Sequence, residues 1–211
     1  MKLTLHTFLS IDGVMQGPGG LDEDRSGGFD RGGWLIPYGD EVMGEIAEGW
    51  FARADAILLG RTTYTMMQAY WSQIDDGSNT ASGLNNLPKY VATSTPLEPV
   101  WNDSTALTGD VLKQVEELKA KPGGELQVHG SAGLARSLHR AGLIDEYRLL
   151  TFPVAIGAGK RLFTEDAPAM GFELVESRVT STGATYAALR PTPFRTGTAV
   201  IEDGTSTFSV D

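Results

Sequence analysis

The stretch Ala54-Asp-Ala-Ile-Leu-Leu-Gly-Arg-Thr-Thr-Tyr64 changes its period in the middle. Ala56–Leu59 is a short, wholly apolar run, as expected of a strand covered on both faces. Gly60 breaks it, and Tyr64, Met66 and Met67 resume as a helix. A buried strand that turns straight into a helix belongs to a parallel sheet sandwiched between helices. The same change recurs where Glu125-Leu-Gln-Val128 runs through His129-Gly-Ser-Ala-Gly133 into a helix carrying Leu134, Leu138 and Ala141, stopped by Gly142.

The rest of the chain repeats this alternation. Lys2–Leu9 reads as a strand ending in Ser10-Ile-Asp-Gly13, and Asp40 caps a helix through about Ala52. That helix places Val42, Met43, Ile46, Trp50 and Phe51 on one stripe. Asp75–Asn86 reads as a polar surface loop, and Lys89–Ala92 as a short strand. Pro96 and Pro99 impose an extended connection, and Gly109–Ala120 is an amphipathic helix. Asp145–Phe152 is a strand, and residues 172–180 and 184–190 form an antiparallel hairpin. Residues 1–190 are therefore expected to form one domain, with 191–211 as a partly ordered tail. Gly17–Gly33 has seven glycines in seventeen residues. A loop of that length within a domain is functional or disordered, and it is read here as a mobile lid.

Composition narrows the chemistry. The 211 residues include no cysteine and carry a net charge of −10. Thiolate catalysis and thiolate metal sites are excluded, and no metal site is expected from three scattered histidines. A strongly acidic chain does not suit nucleic acid. With no apolar run of membrane length and no signal-like start, a cytoplasmic protein is expected.

Three strand ends share one character: Gly60-Arg-Thr-Thr63, Thr93-Ser-Thr95 and Gly130-Ser-Ala-Gly133. Thr62 or Thr63 can cap the new helix, Arg61 is a permanent cationic donor, and the hydroxyls after the third strand are read as lying near Lys89. Helix N-termini at the carboxyl ends of parallel strands suit an anionic ligand with more than one phosphate. Taken singly, such turns also follow from ordinary turn chemistry. Asp40, Glu41 and Glu45 offer either a proton donor or solvated helix-start acids. Trp34, Tyr38 and Trp50 are core aromatics or, beside the glycine loop, a stacking surface.

The ordered set Ser10-Ile-Asp-Gly13, Ala56–Tyr64, Lys89–Thr95, His129–Leu134, Gly142–Tyr147 and Pro153–Gly159 resembles the dihydrofolate-reductase-like superfamily. Within it, the chain is similar to stand-alone relatives of the RibD C-terminal reductase domain of riboflavin biosynthesis. The resemblance implies a three-layer α/β/α fold with NADPH as cofactor. It implies that Gly60, Arg61, Thr62, Thr63, Thr93, Ser94, Thr95, Gly130, Ser131 and Ala132 hold cofactor phosphates, with Ile11 and Gly13 near the nicotinamide. Thr151 falls where dihydrofolate reductases have a substrate-side threonine. Asp40, Glu41 and Thr151 are then the candidate catalytic residues, and Asp12, Trp34, Tyr38 and Trp50 the substrate side. The expected activity is hydride transfer to a small, flat substrate by a homodimer. The alternative is a non-catalytic NADP(H) sensor or ligand-sequestering module.

Overall fold

The computed structural model describes residues 1–98, 100–202 and 205–210, so Pro99 lies outside it. Strand β1 (Lys2–Ser10) leads through a long loop to helix α1 (Glu41–Phe51). There follow β2 (Ala54–Gly60), α2 (Arg61–Trp71), α3 (Asn79–Asn86), β3 (Lys89–Ala92) and β4 (Ser104–Leu107). Then come α4 (Val111–Lys119), β5 (Glu125–His129), α5 (Ala132–Arg140), β6 (Glu146–Phe152), β7 (Gly171–Val179) and β8 (Thr185–Thr192). These eight strands form one sheet in the order β4-β3-β2-β5-β1-β6-β8-β7. Strands β1 to β6 pair in parallel, and β8 joins β6 and β7 antiparallel, as the hairpin reading requires.

Strand side chains alternate between the two faces. On one face Leu3, Leu5, Leu58, Leu126 and Val128 pack against Val115 and Leu118 of α4 and Ala135 and Leu138 of α5. On the other, Ile57, Leu59, Leu150 and Phe152 pack against Ile46, Trp50 and Phe51 of α1, Tyr64 of α2 and Leu84 of α3. This second face also carries a buried polar row. Arg148 reaches Glu125 through two bonds of 2.8 and 2.6 Å and Glu146 through one of 2.8 Å. Lys2 caps Glu146 at 2.6 Å, and Gln127 links Glu125 to the Trp50 carbonyl. His6 and His129 stack beside it with ring centroids 4.8 Å apart. Burial lowers both imidazoles, His129 to about 3; after burial, His129 adds to the lowering of His6 and Arg148 to that of His129. The third histidine, His139, is also buried, bonds the Tyr147 hydroxyl at 2.8 Å, and is lowered by the same desolvation.

Four sequence expectations change. Residues 79–86 are helical, because the Ser78 hydroxyl accepts from Ala81 N–H and Glu48 holds Asn79 and Thr80. Strand β4 is present although only four residues long; it completes the parallel edge beside β3. Within the 191–211 tail, β9 (Gly197–Glu202) and β10 (Thr205–Val210) form a separate antiparallel hairpin. Residues 203, 204 and 211 lie outside the described residues.

The glycine loop is the fourth. Its hub is the buried side chain of Gln16, whose amide donates to the carbonyls of Asp24 (3.1 Å) and Ser26 (3.0 Å) and accepts from Lys160 N–H (3.0 Å). Lys160 also pairs with Asp24 at 2.6 Å, and Phe29 is buried. Gly33 N–H closes the loop onto the Gly17 carbonyl at 2.8 Å. Ends that meet and side chains that pack inward make this an Ω-loop, held by its own contacts.

Candidate functional site

The chain after β2 passes to the α1–α3 face, whereas the chain after β5 passes to the α4–α5 face. Strands β2 and β5 are neighbours, so their carboxyl ends flank a topological switch point, where open α/β sheets hold ligands. The carboxyl ends of β3 and β1 stand on either side. The three stretches singled out in the sequence thus exit side by side from β3, β2 and β5.

The turn after β5 is the most constrained backbone here. Gly130 and Ser131 both adopt the left-handed region, with φ of 55° and 56°. For a serine this costs about 1–2 kcal/mol. The Ser131 hydroxyl offsets part of that cost by accepting from Gly60 N–H at 2.9 Å and donating to the His129 carbonyl at 3.1 Å. It thereby ties the two strand ends across the switch point. It does not cap its own helix: α5 and α2 have no side-chain cap, whereas Asp40, Ser78 and Asp110 cap α1, α3 and α4. The expected Thr62 or Thr63 cap is therefore replaced by Gly60 as the first boundary residue of α2. Thr62 is exposed and Thr63 half-buried, beside Gly130. The two uncapped helix starts are the two that open from the switch point. Beside them lies a cleft of about 430 Å³ lined by Gly60, Ala92, Gly109, Asp110, Leu134 and Ser137.

Arg61 stands at this corner with its guanidinium turned to the β3 exit, donating to the carbonyls of Pro96 (2.7 Å) and Glu98 (3.2 Å). Thr93 closes its own loop by accepting from Thr95 N–H at 3.1 Å, with Ser94 between them. Lys89 is not with these hydroxyls. It begins β3, so it sits at the opposite edge, donating to the carbonyls of Leu87 (2.8 Å) and Asn102 (2.9 Å), with the Trp101 ring 4.8 Å away. Burial lowers it to about 8. A larger depression of about 600 Å³ lies near Asn85 and Trp101, at the amino ends of the strands, where the Asn85 amide is already paired.

On the β1–β6 side, Ile11 is 70% exposed at the strand exit, with its N–H on the Val154 carbonyl at 2.9 Å. Gly13 takes φ 80° in the turn that follows. Asp12 points inward. Its carboxylate accepts from the Ser10 hydroxyl (2.6 Å), Ile156 N–H (2.9 Å) and Gly157 N–H (2.7 Å), and Arg161 stands 3.4 Å away. The Ser10 hydroxyl, then the Ile156 N–H, hold it far below the usual carboxylate range. These bonds join the β1 and β6 exits. Thr151, half-buried, lies opposite Leu9 and Thr185 on the α4–α5 face of the sheet.

Trp34 and Trp50 are both buried. Trp34 donates from its ring to the Gln16 carbonyl at 2.8 Å and meets Phe152 edge-on, and Trp50 packs on His6 and Phe8. Tyr38 is the half-buried aromatic at this mouth, its hydroxyl 3.4 Å from the Pro153 carbonyl. Asp40 caps α1 through Met43 N–H at 2.8 Å and accepts from the Ser181 hydroxyl at 2.7 Å. The Met43 N–H, then Ser181, bring it down to about 2. Glu41 is exposed, and Glu45 pairs with Arg178 at 2.7 Å. Among the described residues no group of acids and histidines has the arrangement of a metal site. Sequence reasoning missed Gly109, Leu134 and Ser137 as lining residues; the unread strand β4 hid the approach of Gly109, and Leu134 was read only as an apolar position of its helix.

Comparison with known proteins agrees with this architecture. Residues 1–186 match the sequence profile described as the RibD C-terminal domain. The Bacillus subtilis (strain 168) protein YyaP is 28% identical over 186 residues, covering 86% of this chain and 90% of YyaP. A Shewanella sp. PV-4 structure named for riboflavin biosynthesis superposes with a TM-score of 0.64 at 22% identity, covering 91% of this chain and 99% of that one. Enterococcus faecalis dihydrofolate reductase, solved with NADP(H), gives 0.58 at 13% identity, with 90% and 96% covered. At these identities the two structures establish the shared fold.

Proposed function

The chain belongs to the RibD C-terminal domain family, and from that premise we propose that it is an NADPH-dependent reductase of a small, flat substrate. The observation that carries the reading is the switch point between β2 and β5. Two helices begin there without side-chain caps, joined by the Gly60–Ser131 bond and bordered by a cleft of about 430 Å³. These features fit a dinucleotide: free helix N–H groups suit its phosphates, and the cleft suits its nucleoside end. Gly60, Thr62, Thr63, Gly130, Ser131 and Ala132 would hold the pyrophosphate, and Thr93–Thr95 with Arg61 the ribose phosphate. Bound there, the nicotinamide supplies the hydride. Ile11 and Gly13 provide a wall for it, and the Ω-loop and Phe152 keep water from one flank.

The substrate would enter on the α1 side, past Tyr38. Asp40 is ionised and committed to its cap, so it orients α1 and the Ser181–Thr182 turn, and the proton comes from solvent. A binding-only role, as a sensor or a sequestering module, draws support from the engagement of Asp40 in its cap and of Glu45 with Arg178. Two measurements separate them: NADPH titration by fluorescence quenching, and NADPH oxidation against a panel of flat C=N, C=C and C=O acceptors. Binding with turnover supports the reductase, and binding without turnover across the panel supports the module. No binding overturns both.

A further inference from the structure

The cleft beside the switch point holds one polar group that the fold uses only by half. Apolar surface reaches the cleft from three elements: Ala92 at the end of β3, Val111 and Leu112 at the start of α4, and Leu134 of α5. Ser137 also lines it, but its hydroxyl donates to the Gly133 carbonyl of its own helix at 3.1 Å. Among the described residues around the cleft, Asp110 alone is charged. One oxygen of its carboxylate, Oδ1, caps α4 by accepting from Lys113 N–H at 3.1 Å. The other, Oδ2, has no hydrogen-bond partner among the described residues. The turn beneath it is fixed. Gly109 takes φ 77°, and the Gln114 amide donates to the carbonyls of Thr108 (2.6 Å) and Asp110 (3.1 Å). The cap holds the side chain and the turn holds the backbone, so the second oxygen keeps a set place on the cleft wall.

A fixed carboxylate is an unexpected neighbour for an anion. Gly60 and Ala92 line this cleft, and they directly precede Arg61 and Thr93, which the dinucleotide reading assigns to the ribose phosphate. At such range a carboxylate opposes the ligand unless the ligand brings it a hydrogen-bond donor. The adenosine end of NADPH has two kinds: the 6-amino group of the base and the 3′-hydroxyl of the ribose. The flat ring system is the part that matches apolar walls, and the amino group is the donor on its edge.

We propose that Asp110 reads the base: its Oδ2 accepts a hydrogen bond from the adenine 6-amino group, so the cleft selects an adenine dinucleotide over its hypoxanthine counterpart. This assignment rests on NADPH being the ligand. It gives Asp110 one task for each oxygen. The helix cap sets the acceptor in place before the ligand arrives, which removes the cost of ordering it on binding. An ionised carboxylate only accepts, so it takes an N–H and turns away a carbonyl oxygen.

The probe is reduced nicotinamide hypoxanthine dinucleotide phosphate. It carries a carbonyl oxygen where NADPH carries the amino group, and it keeps both riboses and every phosphate. In parallel fluorescence titrations of the full chain, NADPH should bind roughly tenfold tighter than this analogue. Asp110→Asn keeps the cap through its carbonyl oxygen and sets an N–H donor where Oδ2 was. Its preference should reverse in favour of the hypoxanthine form. Asp110→Ser keeps a cap with no second polar atom, and should bind the two within about twofold of each other. Circular dichroism should be the same for all three chains, so the ratio of the two affinities reports recognition and not folding. Equal binding of both dinucleotides by the parent overturns the proposal, because a carboxylate on the 3′-hydroxyl would not tell them apart. So does an asparagine variant that keeps the parent's preference. Absence of NADPH binding overturns the dinucleotide reading itself, and the role of Asp110 with it.

Discussion

Replacing Arg148 with methionine removes the guanidinium that, among the described residues, bonds both Glu125 and Glu146. The side chains of all three residues are nearly or fully inaccessible, and the three bonds between them measure 2.6 to 2.8 Å. Methionine fills most of the volume but leaves two buried carboxylates with Lys2 at 2.6 Å and Arg53 at 3.8 Å as their remaining cations. Breaking a buried ion pair from one side costs about 3–5 kcal/mol, against a total stability of roughly 5–15 kcal/mol. For a chain of this size the melting temperature should fall by roughly 6–20 °C. The pH dependence identifies the cause. Burial works to raise the Glu146 carboxyl, but Lys2 and Arg148 together outweigh it and hold it below its ordinary 4.5. A lowered folded pKa contributes stability above the unfolded value and loses it as pH falls. In the variant burial prevails, the folded pKa of Glu146 rises, and its stranded carboxyl takes up a proton on mild acidification. The difference between parent and variant, measured by urea unfolding, should therefore shrink between pH 7 and pH 5. A loss under about 1 kcal/mol, or an equal loss at both pH values, refutes the reasoning.

Three further outcomes follow from the site. Arg61→Ala should weaken NADPH more than NADH in parallel fluorescence titrations; equal weakening would mean that Arg61 acts only by holding the Pro96–Glu98 carbonyls. Asp12→Ala should lower stability by about 1–3 kcal/mol by orphaning the Ile156 and Gly157 N–H groups. That loss should be constant from pH 5 to 8, because the lowered carboxyl stays ionised throughout; a loss that varies over this range would count against the bonds seen here. Asp40→Asn keeps a capping side chain, so any measured turnover should stay within a few-fold of the parent. Loss of turnover with an unchanged melting temperature would make Asp40 the acid after all.

The sheet was legible because its strands announce themselves. Ala56–Leu59 and Leu126–Val128 are apolar or buried throughout, and each ends in a glycine turn followed by helical spacing. Local pattern put the three strand ends on one side of the sheet, because parallel strands share a direction; their adjacency came from the strand order. What the pattern could not carry was partnership. Lys89 precedes three hydroxyls in sequence, yet a four-residue strand separates the two ends of the sheet they occupy. Asp12 looks like a free acid, and only the fold shows the N–H groups that occupy it; the cap of Asp40 was readable, but its bond to Ser181 was not. Helix α3 begins at Ser78 with weak apolar content, and its main external tie is Glu48, thirty residues earlier. Strand β4 is half serine and threonine and is identified only by its neighbour β3. The glycine loop has the composition of a mobile segment, but one buried glutamine closes it.

The buried histidines bear on how the protein behaves in solution. Imidazoles usually supply the charge a protein gains between neutrality and the carboxylate range. Here all three are shut inside and lowered by desolvation, so while the fold persists they supply less charge in that range than exposed imidazoles would. The net charge near −10 therefore relaxes little as the medium is mildly acidified. Copies should keep their mutual repulsion, and so their solubility, until carboxylates begin to protonate, then lose both over a narrow interval approaching the isoelectric point of about 4.7.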